Sequence, residues 1–372
     1  MPSDPHPSDT TVLSVDILEG IRDRAPGLDD RNEFFFEDLE ILTRIGYLKP
    51  RSLGQMIYDQ RLLASYAPAT ALGVGMHLTW MGVARDIVAA GEDHLQWVLD
   101  DGAAGELFAF GVSERGNDRV LADSVTTVVK TPSGYEFTGT KIFVSTSPAW
   151  TRMSVLGRLD ESIVHGFITR DQQGWSQTKD WDTLGMRATQ SYTTQLDAVV
   201  VPPERIARIL PVGPNTDLFT QAIFQNFLLL VSSVYAGIAD RALELAVDCA
   251  THKTSVFEGA LSAAEDPDIR WRAADAAIAL DALAPQLETY AAWVDGGIDK
   301  PEGWFRVLSG IKHTSVETAR RVVDQAMRIA GGSGYRSSHE LSRLQRDVLA
   351  GIYHPSDTEA VHHTVAFDLF GH

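Results

Sequence analysis

The chain has little cysteine, little positive charge and no long uninterrupted apolar run. The single cysteine, Cys249, excludes a disulfide framework and a cysteine-ligated metal cluster. The 32 lysines and arginines are outnumbered by 50 aspartates and glutamates, and the net charge of −18 argues against binding to nucleic acid or to an anionic membrane. The most apolar stretch, residues 227–239, is interrupted by serines and a glycine, so we expect a buried helix there and not a membrane span.

Several common catalytic motifs are also missing from the sequence. It contains no Gly-x-Ser-x-Gly elbow and no Gly-Lys-Thr phosphate loop. His362 and His363 are adjacent, so on a helix their side chains point about 100° apart and cannot bind one metal ion from a shared face. We therefore expect no metal site, and we expect the lone histidines His77 and His94 to be packing or surface residues.

Length and composition predict a soluble globular protein with two or three domains. The chain has 372 residues, of which 44% are hydrophobic and 22% charged. A polar, proline-rich opening predicts a disordered tail over residues 1–11 with no secretory signal, so we expect a cytoplasmic protein. Helical patterns cover residues 12–105 and 209–372, and strand patterns cover residues 106–208. This order predicts an α+β fold with segregated layers and not alternating βαβ units.

The central block contains runs of strand length with alternating or continuous apolar residues. Predicted strands lie at residues 107–112, 120–130, 135–145, 153–158, 163–169 and 193–201. A proline, a serine and a glycine at residues 132–134 predict a hairpin turn, and Pro202 and Pro203 are expected to close the block.

A glycine-rich corner near the C-terminus joins two predicted helices. Val316, Ala319 and Val323 follow a helical period that ends at Gly331, where glycine permits the positive φ of a helix cap. Because the glycines follow a helix, they do not match a dinucleotide-binding loop, which must follow a strand. A second helical pattern then runs from about residue 341 to His354.

Three stretches resemble the acyl-CoA dehydrogenase superfamily. The first is this corner, GGSGY followed by LSRLQRDVLAGIYHP; the second is FGVSERGND at residues 110–118 with GTKIFVST at 139–146; the third is WDTLGMRAT at 181–189 with LDAVVVPPE at 196–204. The resemblance extends over residues 32–371. It implies an N-terminal helical domain, a central β-barrel-like sheet domain and a C-terminal four-helix bundle, assembled as a homotetramer.

The resemblance also implies a flavin, either FAD or FMN, between the sheet domain and the helical bundle. The residues that it implies for flavin binding are Val112, Ser113, Phe143, Ser145 and, from a neighbouring subunit, Gly331, Gly332 and Gly334. An aromatic ring such as Phe143 suits the flat face of the cofactor, and a hydroxyl such as Ser145 suits its polar edge. Tyr335 and Arg187 are implied for substrate binding.

The residue at the catalytic corner differs from that of a typical dehydrogenase. His354 stands where many dehydrogenases carry the glutamate base, and Gln225, Asn226 and Phe227 occupy the alternative site of that base. A His-Pro pair here resembles the flavin monooxygenase branch, in which a histidine with a pKa near 6.5 suits proton transfer at neutral pH. In isolation, His354 is equally consistent with a helix-end histidine that contacts terminal carbonyls.

Three functions remain open from the sequence. The first, slightly favoured, is a two-component monooxygenase. It would take reduced flavin from a separate reductase and use O2 to oxidise a small organic substrate, for which an aromatic compound is one candidate. The second is an acyl-CoA or acyl-carrier dehydrogenase with FAD, which the residues around Lys141 resemble and for which Asp357 or Glu359 would supply the base. The third is a non-catalytic binding or assembly subunit.

Overall fold

The computed structural model describes residues 10–253, 262–298 and 300–371. Residues 1–9 of the predicted tail therefore lie outside the described part of the chain. Helices at both ends of the described chain flank one sheet, so the predicted α+β class with segregated layers is confirmed.

The N-terminal helices pack into the main hydrophobic core. Ser14 caps the first helix by accepting the amide N–H of Ile17, and Pro68 occupies the first position of the fourth, where its missing N–H costs nothing. The helices are α1 (Val15–Arg31), α2 (Phe36–Arg44), α3 (Leu53–Ala64), α4 (Pro68–Ala89) and α5 (Gln96–Ala103). Helix α4 is buried along most of its length, which explains its near-continuous apolar sequence.

The central strands form one eight-stranded sheet. They are β1 (Phe108–Gly111), β2 (Thr127–Thr131), β3 (Gly134–Val144), β4 (Arg152–Leu159), β5 (Ser162–Thr169), β6 (Trp175–Thr178), β7 (Tyr192–Val201) and β8 (Ile206–Pro211). The order is β6-β7-β3-β2-β4-β5-β8, and β1 pairs with β4 in parallel. Antiparallel neighbours dominate, as the predicted hairpin at residues 132–134 requires.

The sequence-based strand predictions were wrong at two places. Strand β2 begins at Thr127 and not near residue 120, because the preceding residues form turns around a buried carboxylate described below. Pro203 opens a short 3₁₀ turn, and β8 follows it, so the proline pair does not close the sheet. Strand β6 was not predicted at all, since its four residues alternate weakly.

The C-terminal helices include one that is long and apolar. They are α6 (Leu218–His252), α7 (Pro267–Asp281), α8 (Ala284–Asp295), α9 (Trp304–Ala330), α10 (Glu340–Asp347) and α11 (Thr358–Phe370). Helix α6 is long and apolar enough to cross a membrane, but 89% of its most apolar window is buried within the protein. The prediction of a buried helix over residues 227–239 is therefore confirmed.

The Asn226 side chain of the C-terminal helices packs closely against a glycine of the N-terminal helices. An added Cβ at Gly82 on α4 would lie 1.9 Å from the Asn226 side-chain oxygen on α6. A larger residue at Gly82 would therefore have to displace the Asn226 side chain.

The helical corner near the C-terminus differs in detail from the sequence-based prediction. Gly331 ends α9 with φ +63°, as predicted. The helix that follows is interrupted: α10 ends at Asp347, and the segment Val348–Ile352 is a 3₁₀ turn leading to His354. This tighter turn directs the chain back across α6 and α9, which determines the contacts of His354.

Candidate functional site

The sheet domain presents an exposed aromatic ring at the end of β3. Phe143 is 56% exposed and has φ +57°, in the left-handed region that non-glycine residues rarely occupy. The register of β3 against β7 shifts between Lys141 and Val144, and such a bulge re-aims the side chain it carries. The Phe143 ring meets Trp181 edge to face, with 6.0 Å between centroids. The flat apolar face of Phe143 fits the ring system of a flavin.

A row of hydroxyl groups begins two residues from Phe143. Ser145 Oγ lies 2.9 Å from Ser191 Oγ, which lies 2.8 Å from Thr189 Oγ1. Thr189 donates in turn to the carbonyl oxygen of Met186 at 2.8 Å. Each hydroxyl can donate or accept, so this row can adapt to a polar cofactor edge beside the aromatic face.

The loop after β1 is fastened to the same edge of the sheet. Val112 is buried, and the carbonyl oxygen of Ser113 accepts the backbone N–H of Ile142 at 2.9 Å. The structure therefore brings Val112 and Ser113 next to the strand that carries Phe143 and Ser145. These residues fit the sheet-domain side of a flavin site.

A buried ion pair organises this loop. Lys141 Nζ donates to Glu114 Oε1 at 2.7 Å, and both side chains are fully buried. Glu114 also accepts the backbone N–H groups of Val125 and Thr126 at 2.9 and 3.0 Å. Burial alone would raise the pKa of Glu114, but Lys141 and these donors outweigh it and lower the pKa to about 2. The pair therefore stays ionised at neutral pH and ties the loop to β3.

His354 lies at the C-terminal corner between α6 and α9. Its Nδ1 is 3.1 Å from the hydroxyl oxygen of Tyr235, a fully buried side chain on α6. Lys312 on α9 donates to the carbonyl oxygens of Gly351, His354 and Ser356 at 2.9, 2.8 and 2.7 Å. Lys312, and not the histidine ring, therefore satisfies the carbonyls of this turn. Among the hydrogen bonds of the described residues, His354 takes part through Nδ1 and its carbonyl oxygen and not through Nε2.

The expectation of an ordinary histidine pKa at this corner was wrong. Burial lowers the pKa of His354, and the nearby Lys312 ammonium lowers it further, to about 3. His354 is therefore neutral at physiological pH. A neutral imidazole can still accept a proton or donate one hydrogen bond, but it carries no positive charge.

The carboxylates considered as substitutes for a base form no hydrogen bond or ion pair with His354 within the described residues. Asp357 accepts the backbone N–H of Ala360 at 2.8 Å and so caps α11. Glu359 lies in the first turn of α11 and is exposed. The His354 ring contacts a phenol and no carboxylate within the described residues.

The alternative base position on α6 holds amides and an aromatic ring. Gln225 and Asn226 donate to the Asp86 carboxylate on α4, Asn226 at 2.7 Å. Phe227 stacks on Phe110 with 5.4 Å between centroids and an interplanar angle of 16°. These contacts make the segment a packing surface between α6, α4 and β1.

The glycine corner lies at the far end of α6 from His354. An added Cβ at Gly331 would be 3.3 Å from Lys253 Nζ, at the end of α6. Tyr235 and His252 are 17 residues apart on this helix, which corresponds to about 25 Å. The structure therefore does not bring Gly331, Gly332 and Gly334 to His354 of the same chain. Tyr335 beside them is 84% exposed.

Arg187 joins the loop after β6 to α1. Its guanidinium donates to the Asp29 carbonyl at 2.9 Å, to Asp182 at 2.8 Å and to the Thr183 carbonyl at 2.8 Å. These contacts give Arg187 a packing role in this loop, and the substrate-binding role predicted from the sequence has no support from its geometry.

Sequence reasoning missed Tyr235, Lys312 and Trp181. Tyr235 lies inside the apolar run of α6, where a tyrosine is normally a core residue. Lys312 could have been noticed, because it interrupts the apolar face of α9 between Leu308 and Val316. A lysine on a buried helical face needs a specific partner, and that partner is the turn that ends at Ser356.

A segment of about a third of the chain, in its C-terminal part, matches a family model. Residues 229–356 match the model described as acyl-CoA dehydrogenase, C-terminal domain. YdbM of Bacillus subtilis, whose name assigns it provisionally to the acyl-CoA dehydrogenases, is 26% identical over 358 residues, which cover 92% of this chain and 91% of YdbM. A dibenzothiophene monooxygenase of Rhodococcus qingshengii is 25% identical over 368 residues, covering 90% and 85% of the two chains.

Solved structures match nearly the whole chain. KijD3, solved with FMN and dTDP-3-amino-2,3,6-trideoxy-4-keto-3-methyl-D-glucose, superimposes with a TM-score of 0.86 at 20% identity and covers 100% of this chain and 95% of its own. Butyryl-CoA dehydrogenase of Megasphaera elsdenii superimposes with a TM-score of 0.82 at 19% identity, covering 96% and 98%. At these identities the matches establish the fold, including the C-terminal helical bundle. The chain therefore has the acyl-CoA dehydrogenase fold, and the proteins similar to it include flavin-dependent dehydrogenases and monooxygenases.

Proposed function

We propose that the protein is a two-component flavin monooxygenase that acts on a small organic substrate. The observation that carries this proposal is the neutral His354–Tyr235 pair at the position where a dehydrogenase needs a carboxylate. Abstraction of a proton α to a thioester requires a base within hydrogen-bond reach of that proton, whereas Asp357 caps α11 and Glu359 is exposed on that helix.

Reduced flavin, supplied by a separate reductase, would provide two electrons, so that one oxygen atom of O2 enters the substrate and the other leaves as water. The residues that would hold it are Phe143 against its flat face, with Ser145, Val112 and Ser113 along its edge. The positive backbone φ and the exposed ring of Phe143 support this assignment, because a strand with only a structural role does not need either feature.

His354 and Tyr235 would handle protons at this site. The Tyr235 hydroxyl engages Nδ1, so Nε2 is the atom that remains to donate to or accept from a substrate. Burial and the charge of Asp347 raise the pKa of Tyr235 well above its usual value, so the phenol stays protonated and remains a hydrogen-bond donor.

The glycine corner and Tyr335 would then serve the site of a neighbouring subunit of a homotetramer. Their distance of about 25 Å from His354 along α6 supports this assignment. The relative named dibenzothiophene monooxygenase and the KijD3 structure solved with FMN support the oxygenase chemistry. The amino-sugar nucleotide bound to KijD3 suggests one substrate class to try.

The proposal can be tested by oxidising photoreduced, FMN-loaded protein with O2 in the presence of amino-sugar nucleotides or aromatic heterocycles. The quantities to measure are hydrogen peroxide and oxygenated product per flavin oxidised, with free reduced FMN as the control. With an acceptable substrate we expect peroxide to fall below the free-flavin value as product appears. Stoichiometric peroxide throughout the panel, together with anaerobic bleaching of protein-bound FAD by an acyl-CoA, would instead establish a dehydrogenase.

An acyl-CoA dehydrogenase is the second candidate function, because the chain is similar to proteins of that name over most of its length. YdbM is similar over nearly its whole length, and butyryl-CoA dehydrogenase shares the fold. The same anaerobic acyl-CoA experiment separates it from the oxygenase.

A further inference from the structure

Lys312 is a buried cation whose hydrogen-bond partners are all carbonyl oxygens. Its side chain is almost fully buried in the middle of α9, and its three donors are used by Gly351, His354 and Ser356. Within the described residues no carboxylate lies within ion-pair distance of it. Burying an unpaired ammonium is costly, so the three carbonyl dipoles must offset that cost together.

The same contacts determine the path of the backbone at the corner. The carbonyls of residues 351, 354 and 356 converge on one nitrogen, although they belong to an irregular segment between a 3₁₀ turn and α11. Without the ammonium, buried carbonyls would lose their donors, at roughly 1–3 kcal/mol each. The backbone that carries the His354 ring is therefore held by α9.

The ring itself is held by α6. The Tyr235 hydroxyl is 3.1 Å from Nδ1, and the two rings are 5.9 Å apart at 58°. Tyr235 is fully buried, so its phenol is fixed by packing and offers the imidazole one rigid partner.

We propose that Lys312 and Tyr235 are positioning residues for His354: Lys312 holds its backbone and Tyr235 its ring, so that Nε2 faces the site in one orientation. The role of this orientation in turnover rests on the proposed function. The charged and titratable groups around the corner are Lys312 from α9, Tyr235 from α6 and Asp347 from α10, with Asp357 and Glu317 acting on Lys312. Burial keeps the imidazole neutral across the physiological range, and the Lys312 charge acts in the same direction.

The proposal is tested with Lys312→Met and Tyr235→Phe, which remove the ammonium and the hydroxyl and keep similar volumes. Tyr47→Phe is the matched control, because it removes another buried phenol hydroxyl, one that donates to Gln60. Diethyl pyrocarbonate, which modifies neutral imidazole, is applied from pH 5 to pH 8, and the modification of His354 is followed by peptide mass spectrometry with exposed His363 as reference.

In the unaltered protein we expect His354 labelling to be independent of pH over this range. In Lys312→Met we expect faster labelling at each pH, because the backbone that carries His354 loses its three hydrogen bonds to the ammonium and the ring samples more orientations. In Tyr235→Phe we expect faster labelling, because the freed ring samples more orientations, and a kcat about tenfold lower at unchanged KM. Tyr47→Phe should match the unaltered protein in the rate of His354 labelling and in kcat.

Labelling of a folded Lys312→Met at the rate of the control, or labelling and kcat of Tyr235→Phe equal to those of the control, would overturn the proposal. Tyr235→Phe alone decides the question if Lys312→Met does not fold. If labelling changes as expected while kcat stays the same in each variant, the positioning of His354 stands and its catalytic role in the proposed function is refuted.

Discussion

Two buried lysines, one in the sheet domain and one in the helical bundle, are stabilised by different partners. Lys141 pairs with the Glu114 carboxylate and also donates to the Leu156 carbonyl at 2.6 Å. Lys312 contacts only the carbonyls of one turn. Burial lowers the pKa of each lysine to about 8, so both are charged at neutral pH.

The difference indicates different roles for the two regions. A lysine paired with a carboxylate joins two structural segments, here the loop after β1 and strand β3. A lysine held only by carbonyl dipoles fixes a turn, here the one that carries His354. Changes near Lys141 should therefore affect folding most, and changes near Lys312 should affect turnover most.

The largest effect on stability is expected for Glu114→Ala. It leaves Lys141 charged and unpaired in the interior, and breaking a buried pair in this way costs about 3–5 kcal/mol. Urea unfolding measures the change, and Glu161→Ala, at an exposed position on the sheet domain, is the control, with a change of about 0.5 kcal/mol or less. A loss below about 1 kcal/mol for Glu114→Ala would remove the contrast between the two lysines.

The second prediction concerns His354→Ala. We expect kcat with the accepted substrate to fall about 100-fold, since the side chain would transfer protons, while the melting temperature changes little. His363→Ala, on the exposed side of α11, is the matched control and should be unchanged. Equal activity of the two variants would show that the corner is structural only.

The third prediction is a loss of stability on acidification. The folded pKa values of His77, His165 and His354 are about 4, 3 and 3, because burial lowers each, whereas the unfolded value is about 6.5. Above pH 6.5 both states are neutral; below it the unfolded chain takes up protons that the folded chain does not, so stability falls as pH falls. Asp347 opposes this, because burial raises its folded pKa to about 6.

The net uptake on unfolding is about two protons near pH 5, which lowers the free energy of unfolding by about 2.7 kcal/mol from pH 6 to pH 5. Urea titrations at pH 7.5, 7, 6 and 5 check this, and the first two should agree. A stability that is constant or rises from pH 6 to pH 5 would show that these histidines are not buried in the neutral form.

The smallest expected effect is that of Phe143→Ala on flavin binding. Loss of the ring removes its contact with the cofactor face and should weaken FMN or FAD binding about tenfold, without unfolding the sheet. Trp271→Ala, which removes an exposed ring from α7, is the control for equilibrium dialysis. Unchanged affinity would mean that the flavin binds away from β3.

The sequence was sufficient for much of the fold and for part of the site. Strand-length patterns located β3, β4, β5 and β7, and glycine chemistry located the end of α9, because these signals are local. The His354–Tyr235 contact joins residues 119 positions apart, and the Lys312 contact with the His354 carbonyl spans 42. No local pattern encodes such contacts, and His354 could not be assigned its low pKa without them.

The central claim is that the site inserts oxygen, and isotope labelling tests it most directly. Protein loaded with reduced FMN is mixed with ¹⁸O2 and a panel of amino-sugar nucleotides and aromatic heterocycles, and the products are analysed by mass spectrometry. The account predicts a product that gains one ¹⁸O atom, at a rate about 100-fold lower in His354→Ala. No labelled product from any substrate, with reduction of bound FAD by an acyl-CoA under anaerobic conditions, would contradict it.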